Sequence, residues 1–193
     1  MANAALDTNF LDRAIVFATR AHAGTERRGK GFPYIVHPLE ALSIAASITS
    51  DQEILAAAVL HDTIEDTQVT LEDLQKEFGP RVARLVEEES DKFAEGVSEE
   101  DSWLDRKKAA IDRIAKAGHD AKIVALSDKL SNARAIYRDY RESGDGLWNI
   151  FHVKDKALHE WHYRGLVESL RELSDTMAFK ELEHLVNKVF SDN

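Results

Sequence analysis

Four side chains able to hold a metal ion or move a proton fall within six positions of the stretch LAAAVLHDTIEDT, Leu55 to Thr67: His61, Asp62, Glu65 and Asp66. The run begins with small apolar residues and ends charged. A protein that buries the first half resists burying the second half unless those charges have a partner. A divalent metal is such a partner, and the spacing suits one. Residues four apart on a helix share a face, so His61 lies under Glu65 and Asp62 under Asp66. His61 and Asp62 point about 100° apart on a helix of roughly 3.6 residues per turn, and an ion between those directions could touch both. Glu65 and Asp66, one turn on, would reach the attacking water of a hydrolytic reaction.

The His-Asp dipeptide alone says little. A chain of 193 residues with 8 His carries about one by chance at this Asp content, and a second one is present, His119-Asp120. That pair follows Gly118 and precedes the apolar-periodic stretch Ala121 to Leu130. A helix-ending glycine and a new N-cap are expected there, so the pair reads as a helix connection. His61-Asp62 is expected inside a helix, with two more acids on the same side.

The elements that must position these groups are expected to be helices. The chain holds only 3 Pro and 9 Gly, while Ala, Leu, Glu, Lys and Arg, all good helix formers, are plentiful. Hydrophobic residues are 44% and charged residues 31%, ordinary for a globular protein. The length fits one compact all-α domain over residues 1–193 with the site in its helical core. No apolar run is long enough to span a bilayer, and the N-terminus lacks a secretory pattern. With 0 Cys there is no thiolate metal site and no cysteine nucleophile, and the cytoplasm is the expected location. A net charge of −10 argues against a broad surface for nucleic-acid polymers. It leaves room for a small anionic substrate held by a metal and a few local basic residues. Homo-oligomerisation is compatible with the sequence but not readable from it.

Taken in order, Asp7 or Thr8 caps a first helix reaching Ala21, and Gly24 follows it. The loop TERRGKGFPY carries Arg27, Arg28 and Lys30, and its arginines are candidates to clamp phosphate oxygens. Pro38 suits the first turn of a second helix, to Ile48, and sets His37 just before it in an extended conformation. Ser50 or Asp51 caps a third helix, expected to run unbroken to Asp66. Thr70 with Asp73 caps a fourth, closed by Gly79, and Pro80 opens a fifth through Val86. Residues 90–101 read as an exposed polar loop. Trp103 to Ala117 is helical, as is Ala121 to Tyr140, where Asp128 lies amid a broad apolar surface with Asn132 one turn on. Gly144 to Asp155 reads as a loop before two final helices, together about 155–190.

His37, then His61-Asp62, then Asp128 resemble the ligand set of an HD-domain metal-dependent phosphohydrolase. YIVHP, AAAVLHDTIEDT with TLEDLQKEFGPRVARLVEE, and ALSDKLSNAR are similar in order and spacing to the hydrolase domain of the RelA/SpoT family. They resemble most the free-standing small alarmone hydrolases related to metazoan SpoT homologues. The likeness covers about residues 11–136. It implies an all-helical HD fold and a metal, usually Mn²⁺ with other divalent first-row ions as alternatives, held by His37, His61, Asp62 and Asp128. It implies that Glu65 and Asp66 serve the water, and that Asn132 with Arg27 and Arg28 contacts the nucleotide. Lys129 and Arg134 are the further basic candidates.

Two imidazoles and two carboxylates without a thiolate suit such an ion and leave positions for water and a phosphate oxygen. The implied reaction removes the 3′-pyrophosphate of (p)ppGpp and yields GDP or GTP. The chain departs from the family pattern at Ser127, where Ala is usual, and in a WxYRxLxE-type segment, Trp161 to Glu168. The alternatives are an HD phosphohydrolase for another nucleotide, such as a nucleoside monophosphate or NADPH, and a non-catalytic nucleotide-sensing module.

Overall fold

Helix-forming sequence and well-placed caps divide the chain into α-helices joined by short turns. A computed structural model describes residues 8–27, 29–90 and 99–191, with side chains in the last segment from residue 102. The α-helices are α1 (Asn9–Ala21), α2 (Val36–Ala46), α3 (Gln52–Leu60), α4 (Thr63–Asp66), α5 (Leu71–Phe78), α6 (Pro80–Glu89), α7 (Glu99–Lys116), α8 (His119–Ser143), α9 (Lys156–Ser169) and α10 (Met177–Phe190). Short 3₁₀ helices occupy Gly144–Ile150 and Arg171–Leu173. There is no β-strand among the described residues; one isolated bridge joins Glu26 and Pro33. The fold is all-α, as expected.

The caps follow local chemistry. Asp51 accepts from the backbone N–H groups of Glu53 and Ile54 and starts α3. Thr70 and Asp73 form a reciprocal capping box at the start of α5. Gly79 takes φ +86° between α5 and α6, a value that favours glycine, and Pro80 follows at the first position of α6.

Helix α3 is buried from Ile54 to Leu60 and packs against α1, α2, α6 and α8. Helix α8 is the second axis, contacting α2, α3, α6 and α10. One apolar cluster runs from Ala14 of α1 to Phe190 of α10. Both residue-rich motifs therefore sit on helices that the core surrounds.

Five expectations are corrected. The helix expected to run from Asp51 to Asp66 is interrupted at His61-Asp62. The His61 ring donates through Nδ1 to Ala58 O at 2.8 Å, and Thr63 Oγ1 donates to Leu60 O at 2.7 Å. These side chains take up carbonyls at the end of α3, the competition that ends helical ladders. His37 is not extended before α2 but lies in its first turn. Pro38 fits there because the first N–H groups of a helix have no intrahelical acceptor. The expected loop from Gly144 holds a 3₁₀ helix, with Leu147 and Trp148 buried. His119-Asp120 forms the first turn of α8 after Gly118 rather than a connection. Of the expected loop 90–101, residues 91–98 lie outside the described residues and α7 already begins at Glu99.

Candidate metal centre

Three segments converge on one point. The first turn of α2 supplies His37, the α3–α4 junction His61 and Asp62, and the middle of α8 Asp128. His37 Nε2 lies 3.0 Å from Asp128 Oδ1 and 3.5 Å from Asp62 Oδ2. His61 Nε2 lies 3.0 Å from Asp62 Oδ2 and 3.4 Å from Asp128 Oδ1. The two Nε2 atoms are 3.3 Å apart. His37, His61 and Asp128 are buried, at 4%, 1% and 5% exposure.

These separations suit a metal. Ligands at about 2.1 Å from a first-row ion stand roughly 3.0–3.4 Å apart in octahedral or tetrahedral arrangements. The His61 ring fits the role as well. Its Nδ1 faces the Ala58 carbonyl, which only accepts, so Nδ1 carries a proton and Nε2 is the nitrogen that would bind an ion, giving up its own proton to do so. His37, His61 and Asp128 form a metal-compatible group, and Asp62 Oδ2 stands beside both imidazoles at 3.5 and 3.0 Å.

The charges in this small volume are mutually adjusted. Burial alone would lower the His61 pKa, but Asp62 and Asp128 outweigh it and hold it well above the ordinary value. Burial would raise Asp128; the Lys129 ammonium and the two imidazoles hold it well below the usual carboxylate range. Burial would likewise raise Asp62, and His61 brings it down. Tyr34 donates its hydroxyl to Asp62 Oδ2 at 2.6 Å.

Around this point a cavity of about 150 Å³ is lined by Arg27, Tyr34, Glu65, Lys107, Lys129 and Asn132, among others. Asn132 Nδ2 donates to Asp128 Oδ1 at 2.6 Å, and Arg27 donates to Asn132 Oδ1 at 2.5 Å. Both residues thus stand at the rim of the ligand set. Arg28 lies outside the described residues. Lys129 Nζ bridges Asp128 and Glu89, each at 2.5 Å, so its first partners are carboxylates. Arg134 is held by Glu181 and Glu40 and lines neither this cavity nor its neighbour. Glu65 and Asp66 diverge on the single turn of α4: Glu65 faces the ligand cavity, whereas Asp66 lines an adjoining cavity of about 330 Å³ with Arg27, Asn132, Phe151 and Tyr163. Loss of solvent around its carboxyl and the negative charge of Asp62 raise the Asp66 pKa.

Sequence reasoning had no role for Tyr34, Glu89, Lys107 or His162, which also line the ligand cavity. Glu89 carried a signal. It continues the spacing of Val82, Leu85 and Val86 on the apolar stripe of α6, an acid where a core residue belongs. It is 8% exposed, and burial raises its carboxyl despite Lys129.

An all-helical fold thus gathers two histidines and two aspartates from three separate segments into a group of donors that could hold a divalent ion. Residues 14–151 match the HD domain family, and the chain belongs to it. It is 35% identical over 168 residues to the human protein named guanosine-3′,5′-bis(diphosphate) 3′-pyrophosphohydrolase MESH1, covering 83% of this chain and 87% of that one. A protein of the same enzyme name from Aquifex aeolicus is 47% identical over 77 residues, 40% of this chain and 11% of that longer one. Among solved structures, a metazoan ortholog of SpoT described as hydrolysing ppGpp superposes with a TM-score of 0.76 at 24% identity, over 96% of this chain and 98% of that one; that likeness speaks for the fold.

Proposed function

We propose that this chain is a single HD-type hydrolase domain that removes the 3′-pyrophosphate of (p)ppGpp, yielding GDP or GTP and pyrophosphate, with Mn²⁺ as its metal and the cytoplasm as its setting. The observation that carries the reading is the convergence of His37, His61, Asp62 and Asp128 with Arg27 and Asn132 at its rim. The human relative bears the name of this activity and is similar over most of both chains.

A divalent ion in this ligand set would polarise a phosphate oxygen and make water more acidic. The chain's own residues account for the rest. Glu65, exposed at the cavity wall, would orient and deprotonate the attacking water. Arg27 stands between the two cavities, where its guanidinium can pair with phosphate oxygens. The adjoining cavity joins polar Asp66 and Asn132 to apolar Ile136 and Phe151, a mixture suited to a nucleoside. Among the described residues no helix is long and apolar enough to cross a membrane, and the substrate is a small nucleotide.

The test is purified protein with Mn²⁺ against a nucleotide panel, with released pyrophosphate and orthophosphate measured separately. Pyrophosphate from (p)ppGpp is the expected product. Orthophosphate from a nucleoside monophosphate or from NADPH, without turnover of (p)ppGpp, would assign the site to another nucleotide. Binding without turnover of any of them would make it a sensing module.

A further inference from the structure

Behind His37, on the side away from the other ligands, runs a line of polar contacts. Ser131 Oγ donates to Glu40 Oε2 at 2.8 Å. A hydroxyl has one proton, so towards His37 the same oxygen can only accept. His37 Nδ1 is 2.8 Å from it. Nδ1 must therefore carry the ring proton, and Nε2 presents its lone pair to Asp62, His61 and Asp128. Beyond Glu40, its Oε1 accepts from Arg134 at 3.2 Å, and Arg134 is gripped by both oxygens of Glu181 on α10 at 2.7 Å each.

We infer that Ser131 and Glu40 are positioning residues that fix the tautomer and ring orientation of His37 for metal binding, with Arg134 and Glu181 anchoring Glu40 to the C-terminal helix. The inference rests on the metal-centre reading above. Three features support it. Ser131 is 1% exposed, so its hydroxyl has no bulk water as an alternative partner. The contacts join residues 94 and 91 positions apart, so they are tertiary rather than helix-local. The other buried serine beside Asp128, Ser127, spends its hydroxyl on Ile123 O of its own helix at 2.7 Å and takes no part. A hydrogen-bonded acceptor on the distal nitrogen of a ligating histidine orients the ring and raises its basicity.

The experiment is calorimetric titration of Mn²⁺ into metal-stripped full-length protein, for wild type and for Ser131→Ala, Glu40→Ala, Arg134→Ala and Ser127→Ala. Ser131→Ala should weaken Mn²⁺ binding by about 10–100-fold, the usual cost of losing such a partner. Glu40→Ala should weaken it less and Arg134→Ala least, because each step is further from the ring. Ser127→Ala should bind as wild type. The Ser131→Ala, Glu40→Ala double variant should lose less than the product of the single losses, since both act through one contact. A merely structural role would lower the metal-free melting temperature without this graded loss of affinity. Wild-type affinity in both Ser131→Ala and Glu40→Ala overturns the inference and leaves the metal centre standing. If Ser131→Ala does not fold, Glu40→Ala alone decides. A wild-type protein that binds no Mn²⁺ overturns the metal-centre reading and this inference with it.

Discussion

The Tyr34 hydroxyl donates to Asp62 Oδ2 at 2.6 Å, so the loop that delivers His37 also touches the ligand next to His61. Burial, then the negative charges of Asp62 and Asp66, raise the tyrosine pKa, and it remains a donor at neutral pH. Tyr34→Phe keeps the ring against His22 and His37 and removes only the hydroxyl. Mn²⁺ affinity should fall about tenfold, the low end for an outer partner, with the metal-free fold intact. Unchanged affinity in a titration would make the contact incidental.

Glu65 and Asp66 part company in space, so their variants should part company in kinetics. Glu65→Gln keeps the shape and removes the charge. Its kcat should fall by about 10²–10⁴, the range for losing a general base, with bound Mn²⁺ retained because four ligands remain. Asp66→Asn acts in the adjoining cavity and should change KM more than kcat. Measuring kcat, KM and metal content for both separates the roles; loss of metal in Glu65→Gln would make Glu65 a ligand instead.

Arg27 stacks over the Tyr34 ring, 5.3 Å from its centroid, and donates to Asn132. It is prealigned at the rim without touching a metal ligand directly. Arg27→Ala should raise KM for (p)ppGpp about tenfold or more, about 1.4 kcal/mol per decade, with metal content unchanged. An unchanged KM would shift the phosphate clamp to another cation of the cavity, such as Lys107.

The helices were legible because their signals are local. Thr70-Asp73, Gly79-Pro80 and the Asp51 cap all stand where the sequence puts them. Asp128 and Asn132 were legible as a pair because spacing of four brings them together on α8. The break at His61-Asp62 was not, since it depends on two side chains turning back to their own helix, and the residue types fit an unbroken helix equally well. Lys129 and Arg134 are basic residues near the motif, and sequence alone cannot tell that they also pair with the distant Glu89, Glu40 and Glu181. Those partners lie 40 to 94 positions away. Ser131 carries no sequence signal for the same reason, since its partners His37 and Glu40 lie 94 and 91 positions away.

The second His-Asp pair supplies a control. His119 Nδ1 lies 3.0 Å from Glu172, its side chain is 60% exposed, and Glu172 also accepts from Lys122 at 2.7 Å. His119→Ala should leave Mn²⁺ content and turnover near wild type, and stability within about 1 kcal/mol, as for an exposed ion pair. Lost metal in that variant would mean that the wrong dipeptide had been assigned to the centre.

The last prediction concerns the start of α3, the helix that carries the core towards His61. Asp51 caps it, and Arg81 of α6 donates to both Asp51 oxygens at 3.1 and 2.9 Å, to Glu53 at 2.6 Å and to Asp120 of α8 at 2.8 Å. The Arg81 hydrogen bonds, and then the backbone donors of Glu53 and Ile54, hold the Asp51 carboxyl below its ordinary value of 3.8. A carboxyl whose folded pKa is depressed adds stability above its unfolded value and loses that contribution as pH falls through the lower, folded one. Asp51→Ala should therefore cost about 1 kcal/mol at pH 7, as for other lost N-caps. That corresponds to a drop in Tm of about 2–4 °C for a chain of this size. The gap between wild type and variant should narrow as pH falls below about 4, where Asp51 of the unfolded chain takes up a proton that the folded one resists until lower pH. Arg81→Ala should show the same narrowing, because it removes the partner that sets the shift. Thermal unfolding of the three proteins from pH 7 to pH 3 reads this directly. A gap that stays constant across that range would mean that Asp51 holds α3 by packing alone.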